Sequence, residues 1–323
     1  LIEKNKLNQA YNAYHDFLKK NPINSLALDG LERIIRRRKP KYGKQPSGDI
    51  ISSLVALYDN GRFDEVLFKC AKLLKSFPTS VPILNLYGSA KAQKGLIDSS
   101  EVIFRKAILV APNSADSYYN LAVILHQKGD WNRAYEAYQD TISIDRNYAN
   151  AYNNIGNLLQ QRARFEESLN CYEAAINAKS DHIEALKNKG ISLHKLGRLE
   201  HAYVACLEAK KIDPNDAGVF NQLGILLQDA GKFEDCLSCY RKAIKLDPSS
   251  IEAYNNICTA LENWNRAEEL ANFLVSLKSS FEPLPDELRF YEALIFHKQK
   301  KYKECEEILV RLDIGHIHSP PRK

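Results

Sequence analysis

The sequence predicts an all-α fold, a solenoid built from stacked helical hairpins. Three observations carry this. Apolar residues recur at three- and four-residue spacing in segments of helical length. Those segments return with a period of 34 residues. Glycine and proline are sparse, 14 and 12 in 323 residues, too few for an all-β chain full of turns.

The period is read from aligned rungs. Leu223-Gly224 matches Ile155-Gly156 two periods earlier, with Lys189-Gly190 midway. Tyr87-Gly88 and Leu121-Ala122 extend this rung upstream, and Ile257-Cys258 extends it downstream. A second rung runs Val66, Ser100, Ala134, Ser168, Ala202, Cys236, Leu270. A third runs Cys70, Phe104, Tyr138, Tyr172, Cys206, Tyr240, Leu274.

Each unit reads as helix A, a break, helix B and a closing proline. The breaks are Gly61, Gly95, Gly129, Gly197 and Gly231. Pro22, Pro78, Pro112, Pro214 and Pro248 cannot continue helix B. The polar pairs Asn113-Ser114, Asn215-Asp216 and Ser249-Ser250 are expected to cap the next helix A. Small residues at Gly88, Gly156, Gly190 and Gly224 let A and B approach closely, and Tyr138, Tyr172 and Tyr240 are expected to fill the space between units. One hairpin cannot bury its apolar faces alone, whereas a stack shares a continuous core.

A glycine after an apolar residue, a small residue twelve further on, an aromatic four later and a terminal proline resemble the tetratricopeptide repeat. The resemblance covers about residues 47–312, with units starting near Ser47, Val81, Ala115, Ala149, Ile183, Ala217, Ile251 and Asp286. The seventh unit departs from it, with Cys258 for the glycine and Asn265 for the break, and the eighth (Ala293, Tyr302, Cys305) is degenerate. What the resemblance implies is a right-handed superhelix with helix A on its concave wall, serving as a protein–protein interaction scaffold.

Residues 1–38 read as partial N-terminal repeat helices, with Leu7, Ala10, Tyr14 and Phe17 matching a helix B. Residues 39–46 read as a basic linker within "RRRKPKYGKQPSG", 47–318 as an array of about eight repeats, and 319–323 as a tail. A chain that begins with Leu1 and contains no methionine reads as a fragment. Without a polar capping helix, the array is expected to be cut at both ends or covered there by something else.

The sixth residue of five successive units is Asn120, Asn154, Asn188, Gln222 and Asn256. Asparagine is a poor helix former, so its recurrence on helix A calls for a reason. An amide offers one acceptor and two donors and can hold a peptide group by both its C=O and its N–H. Neighbouring A helices stand roughly 10 Å apart, and an extended chain advances about 3.3 Å per residue. A ladder of amides would therefore hold about every third residue of an extended peptide, whatever its side chains. Asn120, Asn154, Asn188 and Asn256 are similar, position by position, to the asparagine ladder in the tetratricopeptide arm of O-linked N-acetylglucosamine transferases. Gln222 keeps the amide, and Leu86 ends the ladder. Asn153, Asn157, Asn221 and Asn255 enlarge a polar wall where a merely solvated one would carry more Lys and Glu. Lys187, beside Asn188, is the one cation a carboxylate clamp would use. The competing reading is inherited repeat sequence, since asparagine is common here in repeats with no ladder.

No phosphate loop, nucleophile elbow or H-E-x-x-H is present, so the chain is not expected to be an enzyme. A second reading makes it the non-catalytic, substrate-recruiting arm of a larger glycosyltransferase- or sulfotransferase-like protein. A third is self-association through the uncapped ends. "CLSC" at Cys236 to Cys239 has no second pair at zinc-finger distance and reads as structural. His126 and His194, two units apart, should stand roughly 20 Å from each other, too far to share a metal. His316 and His318 have no acidic partner pattern, and no cofactor or metal is expected. Seven scattered cysteines do not form a disulfide framework, which points to a reducing, cytoplasmic setting. No run approaches ~18 apolar residues. A net charge of +5 commits the chain to no partner. The basic run Arg36 to Lys44 reads as a solvated linker, so neither nucleic acid nor membrane is an expected partner.

Overall fold

The computed structural model describes residues 13, 45–278, 281 and 283–312. The expectations for residues 1–38, the basic run Arg36 to Lys44, His316, His318 and the tail lie outside the described residues. Among the described residues there are sixteen α-helices and no strand, in two compact units divided after Ser180.

The first unit holds four hairpins: α1 (Gly48–Asp59) with α2 (Phe63–Ser76), α3 (Val81–Gln93) with α4 (Ile97–Val110), α5 (Ala115–Gln127) with α6 (Trp131–Ile144), and α7 (Ala149–Gln161) with α8 (Phe165–Ala178). The second unit holds four more: α9 (Ile183–Lys195) with α10 (Leu199–Ile212), α11 (Ala217–Asp229) with α12 (Phe233–Leu246), α13 (Ile251–Asn263) with α14 (Ala267–Leu277), and α15 (Asp286–Lys298) with α16 (Tyr302–Arg311). Odd-numbered helices are the A helices of the repeat.

Each A helix ends where one residue turns left-handed. Gly61, Gly95, Gly129, Gly197 and Gly231 take φ between 71° and 75°, a region that costs glycine little. Where the glycine is missing, the same turn is made by Ala163 (φ 56°), Asn265 (φ 56°) and Lys300 (φ 61°). The turn recaptures helix-end carbonyls, as when the Arg164 N–H donates to Leu159 O at 2.9 Å.

The glycine rung sets how A meets B. A Cβ added at Gly156 would stand 2.4 Å from the Tyr172 ring, at Gly224 2.4 Å from Tyr240, and at Gly88 2.7 Å from Phe104. The large rings therefore lie against the glycine of their own hairpin, while Tyr138 and Tyr240 also share a core with Ile155 and Ile257 of the next one. Their hydroxyls follow: Tyr172 donates to Asn157 Oδ1 and Tyr240 to Gln228 Oε1, each at 2.9 Å and within its own hairpin. Position 122 is alanine, and there the Tyr138 hydroxyl instead meets Asn154 of the next hairpin.

Helix capping also departs from expectation. Asp216 caps α11 by accepting from the Val219 N–H at 2.8 Å, but Ser114 and Ser250 make no side-chain cap bond. Ser114 spends its hydroxyl on Ser117, 2.9 Å away. A serine hydroxyl can turn to a side-chain partner in this way, so sequence position alone does not assign a cap.

The core of the first unit runs through Leu54, Val66 and Ile83 to Phe104, Leu121, Tyr138 and Ile155. That of the second is centred on Leu237, Tyr240, Ile257, Leu270 and Leu288. Within each unit, helix B of one hairpin packs on helix A of the next, and A helices also touch each other: α1 with α3 and α3 with α5 in the first unit, α9 with α11, α11 with α13 and α13 with α15 in the second. The A helices thus make an ordered row in each unit. No helix among the described residues is long and apolar enough to cross a membrane.

Candidate functional site: the row of A helices

The rows are stitched by side chains one residue out of step. In the first unit Asn154 Nδ2 on α7 donates to the Tyr119 hydroxyl on α5 at 3.2 Å, and Gln93 Nε2 on α3 donates to the Tyr58 hydroxyl on α1 at 3.4 Å. In the second, Asn256 Nδ2 on α13 donates to Asn221 Oδ1 on α11 at 2.8 Å, and the His194 ring on α9 meets Asp229 on α11 at 2.5 Å. Each pair is 35 residues apart, one more than the repeat, so a fifth or twelfth position meets the sixth or thirteenth of the next hairpin.

This separates the ten expected contact residues into groups. Asn154 is heavily engaged, since its Nδ2 also donates to the Tyr138 hydroxyl at 3.1 Å and its Oδ1 accepts from Asn153 at 3.4 Å. Asn157 accepts from Tyr172, and Asn221 and Asn256 hold one another. Asn153 and Asn221 are nearly buried. Asn188 is half-buried. Asn120 and Asn255 are half-exposed and make no side-chain hydrogen bond to the described residues. Gln222 also makes none, and it is nearly buried.

Lys187 is already matched. Its ammonium donates to Glu184 at 2.7 Å and to Asp216 at 2.9 Å. Burial alone would lower its pKa, but these two carboxylates hold it above its ordinary value. Gly218 leaves the room this takes: a Cβ there would stand 3.1 Å from Asp216 Oδ1 and 3.5 Å from the Lys187 ammonium. A ligand carboxylate would find the Lys187 charge already matched by two carboxylates, with one of its three N–H donors left to offer.

The sequence reading missed two features. Tyr119 and Tyr148 form an aromatic pair beside Asn120, with ring centroids 4.9 Å apart, and the Tyr148 hydroxyl donates to Asp116 at 2.9 Å. The phrase "SYYNLAVILH" carried that signal in the residue just before Asn120. Glu101 on α4 is nearly buried and gathers Arg105 (2.9 Å), Lys128 (2.8 Å) and Arg133 (3.5 Å) across two hairpins. Its signal was an acid on the buried face of a B helix.

The other constellations are structural in their geometry. His126 sits edge-on to Trp131. Among the described residues no group of three His, Cys, Asp or Glu could hold a metal. All seven cysteines are unpaired. Burial pushes the Cys70, Cys206 and Cys258 thiols up to about 12. Cys236 donates its Sγ–H to Phe233 O at 3.0 Å.

Against known families, residues 103–136, 153–217 and 217–250 match models described as tetratricopeptide repeat, and 123–162 matches one described as TPR repeat. A comparison with curated proteins gives no significant match. Among solved structures, the chain is similar to PilF of Pseudomonas aeruginosa, at 19% identity over 72% of this chain and 98% of that one, with a TM-score of 0.55. It is also similar to PilW, described as a widely conserved type IV pilus biogenesis factor, at 19% identity over 65% of this chain and 96% of that one, with a TM-score of 0.59. At such identities the likeness speaks for the fold. With the family matches running from residue 103 to 250 and the same hairpin recurring on both sides of them, the chain is a tetratricopeptide repeat protein.

Proposed function

We propose that this protein is an interaction scaffold whose row of A helices holds an extended segment of another protein, gripping its backbone through side-chain amides. The observation that carries the reading is Asn120. It stands on the A-helix row, half-exposed, with its amide unspent among the described residues, between the engaged amides Asn85 and Asn154 of the neighbouring hairpins. An amide of this kind can take a peptide C=O and N–H together. Gln222 and Asn255 offer the same chemistry in the second unit. Asn154, Asn157, Asn221 and Asn256 act behind them, fixing the tyrosines and each other so that the row is preorganised.

The test is fluorescence anisotropy of a library of unstructured peptides against the parent chain, Asn120→Ala and Gln222→Ala. Neither change removes an internal hydrogen bond to the described residues; the melt should be nearly unchanged for the half-exposed Asn120→Ala, while the nearly buried Gln222→Ala loses packing and is read well below its own melt. Loss of one backbone-gripping amide should weaken binding by about three- to tenfold, the worth of one hydrogen bond. Peptides that bind all three proteins equally would place recognition elsewhere.

A further inference from the structure

The two units differ in the charge their A helices present. Consider the second, fifth, sixth, ninth, twelfth and thirteenth positions of α3, α5 and α7, which include those that carry the inter-helix bonds. Apart from His126, Asp116 is the one acidic or basic side chain among them, and it already accepts from the Tyr148 hydroxyl. The remainder are mostly amides, with Tyr119 and the half-buried apolar Leu86 and Val123. Apart from His194 and His297, the same positions on the four A helices of the second unit carry eight acidic or basic side chains, among them Glu184, Lys187, Asp229, Glu262 and Lys298.

A segment laid along the first row gives up water from the side chains that face it. Away from Asp116, a charged side chain there would lose hydration and meet no opposite charge, a large penalty. A neutral side chain loses little, and Leu86 and Val123 favour small apolar ones. The free amide of Asn120 serves the segment's backbone and does not select by side chain. Discrimination on this row therefore comes mainly from rejecting charge. Resting on the scaffold reading above, we infer that the row formed by α3, α5 and α7 takes an uncharged, extended stretch of a partner protein.

The experiment uses the whole chain. Neutral peptides of about ten residues drawn from Ser, Thr, Ala, Val, Asn and Gly are compared with the same peptides carrying a single Lys or Glu at each position in turn. Anisotropy is read at low and at high salt. Neutral peptides should bind with less than about a twofold change across the salt range, because no exposed ion pair is there to be screened. One central charge should weaken them by about tenfold or more. Asn120→Asp, checked for an unchanged helical melt, should weaken neutral peptides and bring lysine-bearing ones above them. If the tightest peptides are charged and salt-sensitive, and Asn120→Ala still weakens them, the scaffold reading stands and this inference is overturned. If no peptide of either kind binds, both fall.

Discussion

The side-chain amide of Asn154 donates to the hydroxyl of the buried Tyr138, 3.1 Å away, across the junction between two hairpins. A residue expected to face a ligand thus secures the core ring of its neighbour. Removing Asn154 leaves a buried phenol without that partner, which costs about 1–3 kcal/mol, whereas replacing both members by apolar groups is much cheaper. Asn154→Ala should therefore lower the denaturant midpoint markedly, Tyr138→Phe less so, and the double variant should lose less than the sum. Strict additivity in that cycle would mean the bond does not couple the hairpins.

Gly156 is a packing glycine. Its missing Cβ is the space the Tyr172 ring uses, 2.4 Å away. Gly156→Ala gains helix propensity worth about 1 kcal/mol but overpacks the A–B contact at about 1–3 kcal/mol. The net expectation is destabilisation, with Tyr172→Leu in the same chain restoring part of the loss. A thermal melt that rises for Gly156→Ala alone would contradict the contact.

These two cases show what could be read in advance and what could not. The breaks, the glycine rung and the aromatic rung are local in sequence, so the 34-residue period placed the six hairpins from Val81 to Ile251 at their observed starts, with one extra residue before Asp286. The spending of the amides is not local. It depends on a one-residue offset between neighbouring A helices, which pairs Asn154 with Tyr119 and Asn256 with Asn221. Lys187 read as a free cation because its partner Asp216 lies 29 residues away on the following cap.

Glu101 should make stability fall in acid. Burial raises its pKa, but hydrogen bonds from Lys128 and Arg105 more than reverse this and hold the carboxyl below the usual range. A depressed folded-state pKa gives stability that is present above the unfolded value, roughly pH 4.3, and is lost as pH falls through the folded value. Glu101→Gln takes the carboxylate from Arg105 while Lys128 keeps Asp98, and should cost about 1.5–3 kcal/mol at pH 7, the worth of a charged hydrogen bond. The gap between parent and variant should close below roughly pH 4. A gap that widens in acid would reverse the sign and remove Glu101 as the hub.

The thiols should be slow to react while the chain is folded. Burial pushes Cys171 and Cys236 up to about 11, and Cys70, Cys206 and Cys258 to about 12. At pH 8 the thiolate fraction of each is then small, and access is restricted as well. A colour-forming disulfide reagent should titrate all seven thiols quickly in denaturant and these five only slowly without it. Rapid labelling of Cys206 or Cys258 in the native chain would show that the hairpins open locally.

Ala163 carries the clearest stored strain. It makes the left-handed turn between α7 and α8 at φ 56°, a task done elsewhere by Gly61, Gly95, Gly129, Gly197 and Gly231. An L-residue pays roughly 1–2 kcal/mol for that conformation. Glycine avoids it but loses more backbone freedom on folding, about 0.5–1 kcal/mol. Ala163 is exposed, so removing its methyl opens no cavity. Ala163→Gly should therefore stabilise the chain by about 0.5–1 kcal/mol, seen as a higher denaturant midpoint with an unchanged slope. The reverse change at an equivalent turn, Gly129→Ala, should cost a similar amount. If both substitutions destabilise, the turn at 163 is unstrained and its alanine is held by contacts other than backbone geometry.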